Sequence, residues 1–255
     1  MNDQIQKAQA FNALHVKGAP LVLYNIWDAG TANIIAKAGA KAIATGSWAV
    51  ASAHGFEDGE LIPLEAALEN LRCITKTVNL PVTIDLEAGY GQDPSTIAAT
   101  VSAAIKCGAI GFNLEDQIIG AGKLYDIDAQ CARISAARKA ADGLGVPAFL
   151  NARTDTFFQA HADDSMDTLL QRAIERAKAY HDAGADGIFV PGLTNENAIE
   201  KICTAAALPV NIMMLPGCPQ PAHLAQLGVS RISYGPGPYL VAMETVSQAA
   251  QALYS

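Results

Sequence analysis

A chain of 255 residues with a formal net charge of -8 is long enough to bury one large core and too acidic for a general nucleic-acid binder. Half of it is hydrophobic, yet aromatics are scarce and Ala, Val, Ile and Leu dominate, which suits a parallel sheet buried on both faces. No apolar run approaches the roughly 20 residues of a membrane span, the N-terminus MNDQIQKAQAF lacks a signal peptide's apolar core, and five cysteines without C-x-x-C spacing read as reduced thiols, so a cytoplasmic protein with no nucleic-acid or membrane partner is expected.

Residues Gln4 to Lys17 predict a helix that precedes the sheet and caps its bottom. Strands are then expected at Leu21–Asp28, Ala42–Ser47, Val82–Glu87, Ile110–Glu115, Ala148–Arg153, Gly187–Val190, Val210–Met214 and Arg231–Tyr234, each a short apolar run closed by turn residues. The odd runs are entered through Pro20, Pro81, Pro147 and Pro209, the even ones through Gly39, Gly108, Gly184 and Gly228. Proline blocks pairing before a strand begins, and glycine ends a helix and turns the chain back. Amphipathic stretches fill the gaps. One starts at Pro63-Leu64-Glu65, one at Asp93-Pro94-Ser95 with Asp93 as N-cap, one covers Ser165–Ala183, and the last, Pro238–Leu253, carries Leu240, Val241, Met243, Val246 and Ala250 as a packing stripe. Eight buried strands alternating with helices, without a linker or composition shift, predict an α/β fold: a single (β/α)8 TIM barrel over 1–255 with an N-terminal capping helix.

In such barrels chemistry sits at the C-terminal ends of the strands. Those ends read Asn25-Ile26-Trp27-Asp28, Thr45-Gly46-Ser47-Trp48, Asp85-Leu86-Glu87-Ala88-Gly89-Tyr90-Gly91, Asn113-Leu114-Glu115-Asp116 and Asn151-Ala152-Arg153-Thr154-Asp155; the later ends are apolar and rich in Gly and Pro. Asp85 and Glu87, two apart on a strand, point to one side. With Glu115 and Asp58 they make a carboxylate excess that repels itself unless a cation lies between. Oxygen ligands without His or Cys favour Mg2+ or Mn2+; the competing reading is a set of exposed rim charges held by local cations. Arg153, the one arginine placed at this rim, offers a planar fork for carboxylate or phosphonate oxygens, or a salt bridge to Asp155 or Asp85. Gly46-Ser47 offers backbone N–H groups and a hydroxyl to an anion.

These segments resemble the isocitrate lyase/phosphoenolpyruvate mutase superfamily. D-L-E-A-G-Y-G at Asp85–Gly91 is similar to its D-x-D-x-G-Y-G metal segment, L-E-D-Q at Leu114–Gln117 to its strand-four acidic segment, and A-R-T-D at Ala152–Asp155 to its strand-five arginine segment. T-G-S-W-A at Thr45–Ala49 and H-G-F-E-D ending at Asp58 resemble its serine loop and following acid. The resemblance implies a Mg2+-dependent enzyme of 2-oxo or 2-hydroxy carboxylates. Asp85 would ligate the metal directly, Glu87, Glu115 and Asp58 would hold metal-bound waters, and Thr45, Gly46, Ser47, Trp48 and Arg153 would bind substrate. Glu87 stands where the family usually has a shorter aspartate. A homodimer or homotetramer is implied as well; the family commonly exchanges a last helix between subunits, and this chain, ending just after the helix that follows strand eight, is expected to lack it.

The departures are equally informative. The family's lyases carry a lid motif K-[KR]-C-G-H and a glutamate after strand six; here the lid region is Ile118-Ile119-Gly120-Ala121-Gly122-Lys123-Leu124-Tyr125, and Pro191-Gly192 follows strand six. The mutases' K-T-N-S is also missing, leaving Lys123 as a lone basic residue. The expected function is therefore a Mg2+-dependent decarboxylase or C–C lyase working through a pyruvate enolate, with Ser47, Arg153 and Tyr90 as the catalytic residues. His54, Lys123 and Cys218 are further proton-transfer candidates, though His54 reads better as a surface loop residue and Cys218 better as a structural cysteine, and Lys123 lies in a loop. The alternatives are a phosphonomutase or phosphonopyruvate-hydrolase type of C–P enzyme, and a catalytically silent oxo-acid binder. The segment Gln117–Tyr125 is expected to act as a mobile lid.

Overall fold

A computed structural model describes residues 2–255, so the first residue of the expected 1–255 domain lies outside it. In chain order the elements are α1 (Asn2–Ala13), β1 (Leu21–Leu23), α2 (Ala29–Lys37), β2 (Ile43–Ala44), α3 (Ser47–Ala53), α4 (Leu64–Thr77), β3 (Val82–Asp85), α5 (Pro94–Lys106), β4 (Gly111–Glu115), β5 (Gln117–Ile118), β6 (Lys123–Leu124), α6 (Ile127–Gly143), β7 (Phe149–Arg153), α7 (Met166–Asp182), β8 (Gly187–Phe189), α8 (Glu196–Ala205), β9 (Val210–Met213), α9 (Pro221–Gln226), β10 (Arg231–Ser233) and α10 (Gly237–Tyr254). Eight strands form one parallel sheet in the order β1-β10-β9-β8-β7-β4-β3-β2. The seam between β1 and β2 closes through a parallel bridge of Ile26 to Thr45: Ile26 N–H donates to Ala44 O at 2.9 Å and Gly46 N–H to Ile26 O at 3.1 Å. The result is the expected (β/α)8 barrel. The β5–β6 pair is a separate antiparallel hairpin above β4.

The turn chemistry follows from the sequence. Gly39 and Gly184 take φ of 99° and 107° just beyond the ends of α2 and α7, the left-handed stop that glycine adopts without a Cβ clash. Asp93 caps α5 by accepting from Ser95 and Thr96 N–H, and Ser165 caps α7. Asp28 does not extend the first strand. It forms a capping box with Thr31 at the start of α2.

Helix α1 caps the barrel's bottom, although it stops at Ala13 rather than Lys17. Gln4 Nε2 donates to Ile105 O (2.8 Å) and Ala109 O (2.9 Å), and Asn12 Nδ2 to Pro147 O, just ahead of β4 and β7. Phe11 is fully buried and meets Phe149 edge-on, while His15 stacks on Phe149 at 3.9 Å. The Phe149 ring fits inside the barrel because β8 offers glycine there: a Cβ on Gly187 would lie 2.8 Å from that ring. Above this floor the lumen turns polar, with Asn151 Nδ2 donating to Asn113 Oδ1 at 2.9 Å and Ser233 Oγ to Asn211 Oδ1 at 3.1 Å.

One packing expectation fails. Along α10 Pro238 is buried, but from Leu240 onward almost every residue, polar and apolar alike, is exposed, with Leu240, Val241 and Val246 at 50%, 62% and 61%, so the stripe expected to pack on the barrel does not do so. No helix of the described residues is long and apolar enough to cross a membrane.

Candidate active site

A cavity of about 240 Å3 opens at the C-terminal ends of the strands. Gly46, Ser47, Trp48, Asp58, Asp85 and Arg153, all singled out from sequence, supply its polar side, together with Asn25 and Asn113. Phe158, Phe189, Met213, Leu215 and Pro236 supply an apolar wall. Gly46 and Ser47 do not form a loop. Gly46 is the N-cap of α3 and Ser47 its first residue, so the first N–H groups of α3 have no intrahelical acceptor. Asn25, which sequence reading left without a role, fastens this corner: its Oδ1 accepts from Tyr234 and Gly235 N–H at 2.9 and 3.0 Å, and its Nδ2 donates to Thr45 O.

Asp85 ends β3, and Thr45 Oγ1 accepts from its backbone N–H at 3.0 Å. Thr45 therefore supports Asp85 and lines the neighbouring recess, not the main cavity. Glu87 is no longer on the strand. Its φ is 52°, and its buried carboxylate turns to accept from Gly59 N–H at 2.9 Å and Glu60 N–H at 2.7 Å. Glu60 reciprocates, accepting from Tyr90 N–H at 2.6 Å. Glu60, Glu87 and Tyr90 are the three non-glycine residues with left-handed backbone among the described residues. Such conformations cost about 1–3 kcal/mol each and persist where surrounding structure overdetermines them. Here the reciprocal clasp between residues 59–60 and 87–90 does so.

Burial, then the Asp58 and Asp85 charges, push the Glu87 carboxyl up to about 8. Asp58 remains in contact with solvent, yet partial desolvation and Asp85 raise it too, while the Ser47 hydroxyl and Arg153 draw it down. The phenol of Tyr90 is raised by burial and by Glu87, Glu60, Asp85 and Asp58. It lies in the recess with Thr45, Ser47, Asp85 and Glu87 that adjoins the main cavity.

Arg153 ends β7 and faces the cavity with its fork partly engaged. Nε and Nη2 donate to the two oxygens of Asp155 at 2.6 and 2.9 Å, and Nη1 pairs with Glu115 Oε2 at 2.8 Å. Burial works against its charge, but Glu115 and Asp155 outweigh it and raise its pKa. Glu115 is thus paired with Arg153 and does not line the cavity; burial lifts its pKa, with Arg153 opposing and Asp155, Asp85 and Glu87 adding to the rise. Asp116 is fully buried below, where Arg176 Nη1 and Tyr180 OH donate to its Oδ2.

Among the described residues no three His, Cys, Asp or Glu side chains converge tightly enough to cage a metal. Mg2+ does not need such a cage, because it keeps several waters and takes one or two carboxylates. The donor set around Asp85, all oxygen and more acidic than the arginines Arg153 and Arg231 that share its field can balance, fits that cation. Asp85 and Asp58 face the cavity, Glu87 the recess, and Glu115 is buried off the lining, paired with Arg153. The further proton-transfer candidates lie elsewhere. His54 caps the end of α3 and bonds Val50 O, Lys123 lines a different surface pocket with Arg172 and Glu175, and Cys218 is half-buried against the core with a raised pKa.

The phosphoenolpyruvate phosphomutase family model matches residues 11–254. The chain is 31% identical to the 2-methylisocitrate lyase of Escherichia coli over 79% of its own length and 68% of that protein. It is 32% identical to an oxaloacetate decarboxylase of Bradyrhizobium sp. over 72% of its length and 60% of that protein. A crystal structure from Burkholderia cenocepacia J2315, provisionally described as a phosphonomutase, superposes with a TM-score of 0.95 at 48% identity, covering 98% of this chain and 99% of that one.

Proposed function

The chain belongs to the phosphoenolpyruvate phosphomutase family, and from that membership we propose that it is a Mg2+-dependent decarboxylase or C–C lyase of a small 2-oxo- or 2-hydroxy-dicarboxylate. The observation that carries this reading is the cavity itself: one arginine fork, the start of α3 and a carboxylate cluster facing about 240 Å3 of space, enough for a compact diacid. Asp85 would hold the cation directly, with Glu87, Glu115 and Asp58 holding its waters. When bound, the cation supplies Lewis-acid polarisation of the substrate's α-oxygen and stabilises enolate charge.

The chain's own residues do the rest. Arg153 takes a substrate carboxylate through its charged fork. The Ser47 hydroxyl and the first N–H groups of α3 orient the α-oxo end, with Gly46 and Trp48 shaping that corner. The apolar wall of Phe158, Phe189, Met213 and Leu215 excludes water from the carbanion. Tyr90, kept protonated by its raised pKa, delivers a proton from the recess beside Asp85. A C–P reaction is less favoured because Lys123, the lone basic residue of the lid hairpin, lines a separate pocket rather than the cavity. Five free cysteines suit a reducing cytoplasm, and the exposed stripe of α10 suits a homodimer or homotetramer.

The test follows release of pyruvate, of glyoxylate from isocitrate and of phosphoenolpyruvate from phosphonopyruvate, with Mg2+ and with oxaloacetate, methylisocitrate, isocitrate, phosphonopyruvate and other 2-oxo and 2-hydroxy diacids as substrates. Pyruvate from a 2-oxo- or 2-hydroxy-diacid, with negligible cleavage of methylisocitrate and isocitrate, is expected. Turnover of phosphonopyruvate alone would transfer the protein to C–P chemistry. Tight oxalate binding without turnover of any acid would make it a silent binder.

A further inference from the structure

Helix α6 carries an arginine that sequence reading passed over. Arg133 is 1% exposed, and among the described residues no carboxylate pairs with it. Its donors instead satisfy backbone of one segment. Nη1 donates to Gly91 O and Gln92 O, each at 3.0 Å, and Nη2 to Ala88 O. Nε donates to Gln130 Oε1 at 2.8 Å, and Gln130 Nε2 passes the connection on to Glu115 O at 3.1 Å. One guanidinium therefore spans the turn after β3 and, through Gln130, the end of β4.

That turn holds Glu87 and Tyr90 in left-handed backbone. Glu60 secures it from the rim by accepting from Tyr90 N–H; Arg133 secures it from beneath through three carbonyls. A third connection reaches the lid. The Tyr125 ring lies 4.1 Å from the Arg133 guanidinium, and Tyr125 N–H donates to Asp116 O at 2.8 Å directly after the β5–β6 hairpin. The hairpin's other side reaches the clasp, since Ile119 lies against Gly59. A planar fork with five donors can hold divergent carbonyls and stack on a ring at once; an ammonium cannot.

We propose that Arg133 is a positioning residue that fixes the Leu86–Gln92 turn and couples it to the lid hairpin, so that the metal site and the lid are ordered together. The proposal rests on the metal reading of Asp85 and Glu87 for its functional consequence, but its structural content stands without it. Two variants test it. Arg133→Lys keeps a buried cation and removes the fork; Tyr125→Leu removes the stacking partner from the half-buried lid side. Hydrogen exchange is followed by mass spectrometry over residues 86–92 and 117–125, and Mn2+ binding to the protein alone by electron paramagnetic resonance.

Both variants should exchange at least tenfold faster in both segments while the barrel strands stay protected, and Arg133→Lys should bind Mn2+ about tenfold more weakly. If Arg133→Lys fails to fold, Tyr125→Leu carries the test through coupled exchange. Faster exchange confined to residues 86–92, or unchanged Mn2+ affinity in a folded Arg133→Lys protein, would reduce Arg133 to a structural buried cation and overturn the proposal. Wild-type protein that binds no Mn2+ would defeat the metal reading instead, while coupled exchange of the two segments would still uphold the link.

Discussion

Arg153 shares its fork between Asp155 and Glu115, so a substrate carboxylate must approach the face those partners leave open. The ion pairs aim the side chain at the cavity and lower its rotamer entropy before binding, which favours a pre-organised anion clamp. Arg153→Lys retains charge and loses both the fork and the bidentate hold of Asp155. It should weaken oxalate binding in the presence of Mg2+ by about 1.5–3 kcal/mol, the range for hydrogen bonds to charged groups. Titration calorimetry checks this, and an unchanged affinity would confine Arg153 to its ion pairs. Asp85 is different because no side-chain cation pairs with it among the described residues. Asp85→Ala should abolish Mg2+ binding and activity, Glu115→Ala should weaken binding, and exhaustive chelation should silence the wild-type enzyme until Mg2+ or Mn2+ is returned. Full activity after chelation would remove the metal from the chemistry. Tyr90→Phe should lower kcat while leaving oxalate affinity unchanged, and an unaltered kcat would return Tyr90 to a packing role.

At the scale of elements, α1 closes the barrel and brings a titratable group with it. His15 stacks on Phe149, bonds Phe11 O through Nδ1 at 2.9 Å, and leaves Nε2 buried without a partner. Burial, reinforced by the Arg231 charge, lowers its pKa to about 3. The folded form therefore excludes a proton that the unfolded chain takes up near 6.5. Stability from this residue is complete above 6.5 and is lost as pH falls toward 3, at no more than about 1.4 kcal/mol per unit. Glu87, Glu115 and Asp116, whose pKa values are raised, tilt stability the other way, but they are common to wild type and variant. Urea unfolding of wild type and His15→Phe between pH 7 and 5 should thus diverge, the variant losing less as pH falls; parallel curves would show that the floor tolerates a charged imidazole. The same helix marks how far sequence reading goes. Period, proline and glycine entries placed all eight strands, because each is a local signal. Strand ends were overextended at Asp28, Ser47 and Glu87, where a capping box, a helix start and a left-handed turn take over. Arg133 left no trace in the sequence and Asn25 only its place at a strand end, since their roles lie in backbone carbonyls and N–H groups brought from distant segments. The cavity residues were legible because a barrel gathers strand ends whatever the details of each turn.

The molecule as a whole buries most of its barrel, although Val22 on β1 is 45% exposed, and leaves α10 almost entirely in solvent. A solvated helix ordinarily shows its polar face outward and its apolar stripe inward. Here Leu240, Val241, Met243 and Val246 face solvent, followed by Leu253 and Tyr254 at 82% and 89% exposure. Exposed large apolar residues gathered on one helix are a feature of interaction surfaces, and their self-association buries apolar area at about 25 cal/mol per Å2. A C2 arrangement, in which the same stripe meets itself, needs no second kind of partner. Sedimentation at micromolar concentration should therefore show a dimer or tetramer. Val241→Glu with Val246→Glu places two like charges in each copy of the stripe and should shift the protein to a smaller species, with the barrel's circular dichroism unchanged. A wild-type protein that sediments as a monomer at every accessible concentration would mean that α10 turns its apolar face to water without a copy of itself to cover it.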